Sequence, residues 1–424
     1  MEEKDLQKTM YRKGMRRGII GTIIVCAVLV FAGGMFLNHS GSKTRIRVQA
    51  TEDGKQVTKV LSYDSLLDQS TVDKINYLAA DIQANYYEDV DVDAMKEGLY
   101  QGLFNALDQY SQYFTKEEYD ELMKSDVSGS YSGIGATLNQ NSDTKQVTVV
   151  SVQDGSPAQE AGIQAGDVIV KADDYTAADM ELSEFVSHLK GEEGTKVTVQ
   201  IYRSSDHSYK DLTLTRKSLE IKTVDSQMLE NNVGYIRITE FVQTTTGQFE
   251  TVLNDLKAQG MTSLIVDLRS NPGGLVSSVT DILQNIIPKG MIVYTEDKYN
   301  NRNEYQSTGE KQLDMPLVVL VNENSASASE IFAGAVKDRQ CGTLIGTTTF
   351  GKGIVQGIQN LSDGSGAKMT TSRYYTPNGV CIQGKGIEPD ITLEYQFLGN
   401  DDQAYSYSLD NQIQKALEVL KDQK

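Results

Sequence analysis

The chain has 424 residues, enough for two or three domains, and its 39% hydrophobic and 23% charged content predicts a packed body. Its formal net charge of −18 argues against nucleic acid as a partner, because neutralising phosphates needs an excess of lysine and arginine. The three cysteines, Cys26, Cys341 and Cys381, form no Cys-x-x-Cys pair, which speaks against a zinc or dithiol motif.

Residues 1–18 are polar and carry Lys4, Lys8, Arg12, Lys13, Arg16 and Arg17. No charged residue occurs from Ile19 to Leu37, a length close to the ~20 residues that cross a bilayer as a helix. The basic residues before it outnumber those just after it, which predicts a cytoplasmic N-terminus. A cleaved signal peptide is the rival reading, but Ala32-Gly33-Gly34 is a poor cleavage site, so an uncleaved anchor is expected. Either reading puts the body outside the cytoplasm. Cys341 and Cys381 then read as two small buried thiols or as a disulfide.

Residues 38–62 are polar and read as a stalk. From Tyr63 the apolar spacing turns helical, first over Val72, Ile75, Leu78 and Ile82, then over Met95, Leu99, Leu103 and Leu107. Thr115 and Glu118 form a capping box for a third short helix. The apolar stripes of this block predict packing on a core, with dimerisation as the alternative.

Between Ser125 and Gly135 the composition shifts to serine and glycine. Strand-like Val147–Val150 leads to Ser156-Pro157-Ala158, then to Ala161-Gly162-Ile163 and Ala165-Gly166-Asp167-Val168-Ile169. A helical stretch at Leu182–Leu189 and a strand at Val197–Tyr202 follow. This order resembles a PDZ domain of the bacterial protease type. Gly133, Ile134, Gly135 and Ala136 sit where such domains hold a peptide C-terminus. Glycines there allow consecutive N–H groups to point at one carboxylate, and the peptide adds as a strand.

Beyond Lys217 the pattern becomes α/β. Gly234–Ile238 reads as a strand, Phe249–Lys257 as a helix, and Leu264–Leu268 as a strand without alternation, hence buried on both faces. The turn Arg269-Ser270-Asn271-Pro272-Gly273-Gly274 follows. Leu317–Val321 is another apolar strand, and it delivers Ser325-Ala326-Ser327-Ala328-Ser329-Glu330 to a helix start. Phe350-Gly351-Lys352-Gly353-Ile354-Val355-Gln356 comes next, and Ile413, Leu417 and Leu420 suggest a terminal helix. Repeated strand–helix units imply a mainly parallel sheet with its chemistry at the carboxyl ends of the strands.

Ser327 with Glu330 three residues on is, at its plainest, a capping box. Its place after a strand and at a helix N-terminus also suits a nucleophile, because free N–H groups there favour developing negative charge. Lys352 serves as a general base once desolvation keeps it neutral. Gln356 is either a polar strand residue or a hydrogen-bond partner for that amine. The N–H of Gly273 or Gly274 could join that of Ala328 as an oxyanion hole. Histidine catalysis is hard to build, since only His39, His188 and His207 are present. The Gly346–Gly353 stretch nearly spells a phosphate-binding loop, but Gly353 stands where the magnesium-binding Ser/Thr belongs.

Residues 63–398 resemble the C-terminal processing peptidases, also called tail-specific proteases. The likeness rests on Asp267–Gly274, Ser325–Glu330, Phe350–Gln356, Tyr374-Tyr375-Thr376-Pro377-Asn378-Gly379 and Gln383–Asp390. It implies Ser327 as nucleophile, Lys352 as base, Gln356 as its partner, and Gly273 with Ala328 as the oxyanion hole. It also implies a crotonase-like α/β catalytic core, a PDZ domain able to gate the site, and no metal or cofactor.

The expected protein is therefore an α/β multidomain, membrane-anchored serine endopeptidase. Its parts are a cytoplasmic tail over 1–18, a transmembrane helix over 19–37, a stalk over 38–62 and a helical region over 63–124. The inserted PDZ domain covers 125–217, the Ser/Lys core 218–398 and a C-terminal helix 399–424. Its partners would be polypeptides with free C-termini, the membrane, and a second copy if it dimerises. The rival reading from another class is a catalytically idle PDZ-type adaptor, which the intact Ser327, Lys352 and Gln356 oppose. An acyl-CoA enzyme sharing the core fold is a third, opposed by the Ser/Lys pair and the PDZ insertion.

Overall fold

A computed structural model describes residues 43–52, 54–400 and 403–422. The expected cytoplasmic tail and the apolar segment over 19–37 lie outside the described residues, as do Cys26 and His39. Among the described residues, no helix is long and apolar enough to cross a membrane. The chain divides into two compact units.

One unit comprises the chain up to Tyr119 together with Met291–Gln306 and Gly351–Gly386. It opens on a hairpin of β1 (Lys43–Glu52) and β2 (Lys55–Asp64), with Ile46 opposite Leu61 and Ala50 opposite Val57. The polar stalk expected over 38–62 is corrected here from Lys43 onward. The reason is period-two alternation: Ile46, Val48, Ala50, Val57 and Leu61 share the less exposed face, where β-branched residues favour strand.

Helices α1 (Gln69–Asn85) and α2 (Val92–Phe104) follow, capped by Asp68 and Asp91, whose carboxylates accept first-turn N–H groups. Both helices were expected, but the core packing expected of their apolar stripes is not seen among the described residues. Neither contains a buried residue, and Leu78, Ile82, Leu99 and Leu103 are each 42–51% exposed. Spacing reveals an apolar stripe but cannot say what covers it. The sheet of this unit runs β16 (Arg302–Ser307), β15 (Gly290–Asp297), β20 (Gly366–Tyr375), β19 (Ile354–Asn360), with β3 (Gln112–Phe114) also paired to β20.

Helix α3 (Lys116–Leu122) starts on the expected capping box: Thr115 N–H donates to Glu118 Oε2 at 2.9 Å, and Glu118 N–H to Thr115 Oγ1 at 3.3 Å. The other unit comprises Asp120–Gly290, Ser307–Phe350 and the chain from Ile387. Its first part is an antiparallel sheet ordered β10 (Ser208–Thr215), β9 (Lys196–Arg203), β7 (Val168–Ala172), β6 (Val147–Val152), β5 (Ala136–Gln140), with the short β8 (Tyr175–Thr176) also paired to β7. Helices α4 (Pro157–Glu160) and α5 (Leu182–Leu189) accompany it, and Ile134, Val149, Ile169, Phe185, Val199 and Ile201 share its core. Two short strands, β4 (Ser130–Gly133) and β11 (Lys217–Glu220), pair antiparallel where the chain enters and leaves it.

The second part is a six-stranded sheet ordered β12 (Val224–Met228), β13 (Val233–Ile238), β14 (Ser263–Asp267), β17 (Leu317–Val321), β18 (Thr343–Gly346), β21 (Ile391–Thr392). Only the β12–β13 pair is antiparallel. All five residues of β14 and of β17 are buried, as the apolar runs Leu264–Val266 and Leu317–Val321 predict. Helices α6 (Thr245–Ala258), α7 (Val276–Leu283) and α8 (Ala328–Asp338) contact one another in series. The terminal helix α9 (Asn411–Asp422) seats Ile413, Ala416 and Leu420 against Tyr235, Ile265, Val318 and Leu320. Its apolar face is therefore consumed by the sheet and is not left over for a second copy. Cys341 and Cys381 are both free thiols, so the disulfide alternative is not formed. Burial pushes the Cys341 thiol up to about 11.

Candidate active site

Strand β17 ends at Val321, and the chain turns through Asn322–Asn324 toward α8. Three serines follow in alternation, and their surroundings separate them. Ser325 is fully buried, and its Oγ donates to Leu268 O at 2.8 Å. Ser329 is also fully buried, and its Oγ donates to Asn271 O at 3.0 Å. Together with Ala326 N–H donating to Asn271 O at 3.0 Å, these bonds stitch the serine loop to the Leu268–Asn271 loop. Ser327 is the one of the three that is partly exposed. A nucleophile must be reachable, so the flanking serines are structural and Ser327 is the candidate.

The Ser327 backbone has φ 53° and ψ −112°, outside the regions that residues with a Cβ ordinarily occupy. Such a conformation costs on the order of 1–3 kcal/mol and persists only where its surroundings enforce it. Glu330 provides part of that enforcement. Its Oε2 accepts Ser327 N–H at 2.9 Å, while Oε1 accepts the Thr349 hydroxyl at 2.6 Å. Thr349 Oγ1 in turn accepts Ile387 N–H at 2.7 Å. The capping-box reading is thus correct for Glu330 but incomplete: a fully buried carboxylate ties the serine to the threonine of the next loop. Sequence reasoning missed Thr349, whose only signal was its place two residues before the Gly-Lys-Gly bracket.

Ala328 begins α8, and its N–H donates to no protein acceptor among the described residues. It lies at the positive end of the helix dipole. Gly273 presses against this corner. A Cβ there would stand 2.8 Å from Ser327 Cβ, 2.8 Å from Ala328 N and 2.7 Å from Ala326 O, at φ 104°, so only glycine fits. The family resemblance implies Gly273 as an oxyanion donor. Its N–H is spent on Asn271 Oδ1 at 2.8 Å. Gly274, the other glycine considered, has no protein acceptor for its N–H among the described residues.

Lys352 and Gln356 belong to the other unit. Two glycines hold the lysine backbone there. A Cβ on Gly351 would meet Gly386 N and Lys385 N at 3.0 Å each, and one on Gly353 would meet Gln383 N at 2.6 Å. Gly353 N–H donates to Gln383 Oε1 at 2.7 Å, so the Phe350–Gln356 and Gln383–Asp390 motifs explain each other. Lys352 is half-buried, and its Nζ lies 4.2 Å from the centroid of the Tyr110 ring. Tyr110 was not foreseen, since nothing in its own stretch marks it. Gln356 follows a bulge at Val355/Gln356, and its Nε2 donates to Thr370 Oγ1 at 3.0 Å. That bond is the polar-strand reading of Gln356. The near phosphate-binding loop runs into strand β19 rather than the helix that such a loop requires.

The loop of Gly133, Ile134, Gly135 and Ala136 lies at the start of the PDZ domain. Ile134 O accepts Ala158 N–H at 2.8 Å, and Gly135 O accepts Gln153 N–H at 2.9 Å. The N–H groups of Ile134 and Gly135 donate to no protein acceptor among the described residues. Gly135 has φ 80°, and a Cβ would meet Ser156 Cβ at 2.3 Å. Gly133 pairs with Lys217, and Ala136 opens β5, the outer strand of its sheet. His188 stacks on Tyr175 at 3.6 Å and His207 contacts Tyr202, so both are occupied within this domain.

Comparison with known proteins follows the same division. Residues 132–215 match the PDZ domain family and residues 232–393 match peptidase family S41. A probable CtpA-like serine protease of Staphylococcus aureus (strain COL) is 33% identical over 431 residues, covering 94% of this chain and 82% of that protein. One from Staphylococcus epidermidis is 36% identical over 337 residues, covering 78% and 67%. Among solved structures, the photosystem II D1 C-terminal processing protease is 30% identical with a TM-score of 0.46, covering 79% of this chain and 89% of its own. On its identity to the CtpA-like relatives over most of both lengths, this chain belongs to the C-terminal processing serine peptidases of family S41.

Proposed function

We propose that the protein is a serine endopeptidase that selects polypeptides by a free C-terminus and cleaves them through Ser327 and Lys352. The supporting observation is the Ser327 corner: one reachable serine among three, held in a strained backbone beside the free N–H of a helix start. Ser327 Oγ attacks the scissile carbonyl carbon, and its proton passes to the neutral Lys352 amine. The N–H groups of Ala328 and Gly274 receive the developing oxyanion. The lysine ammonium returns the proton to the leaving amine, giving an acyl-enzyme that water hydrolyses. Gln356 supports this lysine through strand β19, its amide tied to Thr370.

The Ile134 and Gly135 N–H groups would bind the substrate carboxylate while the chain adds along β5. Residues 19–37 would tether the protein with its body outside the cytoplasm. The exposed stripes of α1 and α2 would pair with a second copy, since so many large apolar side chains open to water mark an interaction surface.

The test compares one unfolded polypeptide with its C-terminally amidated twin. The proposal expects Ser327-dependent cleavage of the free acid only. Equal cleavage would remove the carboxylate-reading role, and undiminished cleavage by Ser327→Ala would remove the nucleophile. Dimerisation is checked with Leu99→Glu/Leu103→Glu in sedimentation, where the mass should halve.

A further inference from the structure

The unit that carries Ser327 contains a cavity of about 610 Å³ between the carboxyl ends of β13, β14, β17 and β18 and the segment around Glu394–Gln412. This volume is in the range of small-ligand sites. None of the proposed catalytic residues lines it. Its walls are aromatic and acidic. Tyr235 and Tyr407 pack with centroids 4.9 Å apart, Tyr405 meets Tyr407 edge-on at 5.8 Å, and Tyr395 completes the set.

The charges are unequal. Arg269 is consumed inside the wall, where it pairs with the buried Asp267 and Asp410 and donates to Gln412 Oε1 at 2.8 Å. Those carboxylates also accept from the Tyr235 and Tyr405 hydroxyls, at 2.7 and 3.1 Å. Asp225, another wall carboxylate, pairs with Lys222, while Arg237, its cross-strand neighbour, also lines the wall. Among the described residues, Glu323 and Glu394 have no cationic partner, and the Glu394 carboxylate has no hydrogen-bond donor. The Tyr235, Tyr405 and Tyr407 hydroxyls are all pushed up, by burial first and then by Asp267, Asp410 and Asp225 respectively, with Arg269 and Arg237 acting in the opposite direction. Arg269 already rests over the Tyr395 ring at 5.8 Å, so these faces accept a guanidinium.

We propose that this cavity is a recognition site for a basic side chain, arginine or lysine, presented by the bound polypeptide. The inference rests on the peptidase reading for the source of that side chain. Carboxylates surrounded by aromatic faces bind a cation on an aliphatic stem through Coulomb attraction and the ring quadrupoles together. The chain's net charge of −18 draws basic partners toward it. The cavity also shares a wall with the catalytic loops. Ser270 N–H donates to Asn322 Oδ1 at 2.8 Å, and Asn322 N–H to Ser325 Oγ at 2.9 Å. Ser270 lies three residues before Gly273, and Ser325 two before Ser327.

The experiment titrates the full chain with N-acetyl-arginine amide and with its neutral isostere N-acetyl-citrulline amide, read by calorimetry. Preference for arginine is expected, and Glu394→Gln and Tyr395→Ala should each weaken it by about 3- to 10-fold. Both side chains are exposed, so both variants should fold. Equal affinity for the two probes, or variants that bind arginine as the parent does, would overturn the site. Replacing the basic residues of a cleaved polypeptide by glutamine should raise KM in the parent but not in the variants. If spermidine binds while that replacement leaves KM unchanged, the polypeptide source is overturned. Cleavage of a polypeptide without Lys or Arg should be equal in parent and variants, and it tests the peptidase reading separately because probe binding needs no catalysis.

Discussion

Glu330 Oε2 accepts the backbone N–H of Ser327 at 2.9 Å, so a buried carboxylate, not the serine's own preference, holds the candidate nucleophile at φ 53°. Removing it in Glu330→Ala leaves Ser327 N–H and the Thr349 hydroxyl without their acceptor. Each unsatisfied buried group costs about 1–3 kcal/mol. The expected result is a lower denaturant midpoint and a kcat that falls far more than KM changes. A folded Glu330→Ala enzyme with parental kcat would remove this role.

Gly273→Ala should be among the most damaging one-carbon changes. The added Cβ would lie 2.8 Å from both Ser327 Cβ and Ala328 N, which must shift. Displacing a single oxyanion donor typically costs ~10²–10³ in rate. Steady-state kinetics should show a loss of that order in kcat at a similar KM.

Lys352 Nζ lies over the Tyr110 ring at 4.2 Å, and the ring face favours the ammonium over the neutral amine. Tyr110→Leu keeps the desolvation but removes that attraction, so the lysine loses its proton more readily. The acidic limb of the kcat/KM profile should move to lower pH. A limb that stays in place would argue against either the contact or the lysine's role as base.

Gly135→Ala would place a Cβ 2.3 Å from Ser156 Cβ and disturb the loop that presents the Ile134 and Gly135 N–H groups. Its effect should be confined to recognition. KM for a free-acid substrate should rise, while kcat at saturation stays near the parental value.

Asp167 is buried, and although burial alone would raise its carboxyl, the bonds from Arg203 and Gln164 N–H hold it below the ordinary aspartate value. A depressed folded-state pKa contributes stability above the unfolded pKa, and that stability is lost as pH falls through the folded value. Asp167→Asn should therefore destabilise the PDZ domain at pH 7, by roughly 3 kcal/mol for a broken buried pair. The gap between parent and variant should close below about pH 4. Urea titrations at both pH values would show it.

Much of the site was legible in sequence because its signals are local. The strand before Ser325, the Ser-x-x-Glu spacing and the glycines around Lys352 each mark a backbone requirement within a few residues. The apolar runs of β14 and β17 announced a sheet covered on both faces, and that is how they lie. The hairpin of β1 and β2 was misread because polar alternation looks like a linker until a partner strand pairs with it.

The sequence by itself determined which residue types stand at each turn, and so the family, the strand–helix order and the candidate serine and lysine. Tertiary structure alone decided which groups remain available. Asn271 consumes the Gly273 N–H, Glu330 links Ser327 to Thr349, and the ring of Tyr110 lies under the Lys352 amine. It also buried the apolar face of α9 in the sheet while leaving those of α1 and α2 open. The physical reason is that propensity and spacing act over one or two turns, whereas hydrogen-bond satisfaction and burial depend on groups brought together from far along the chain.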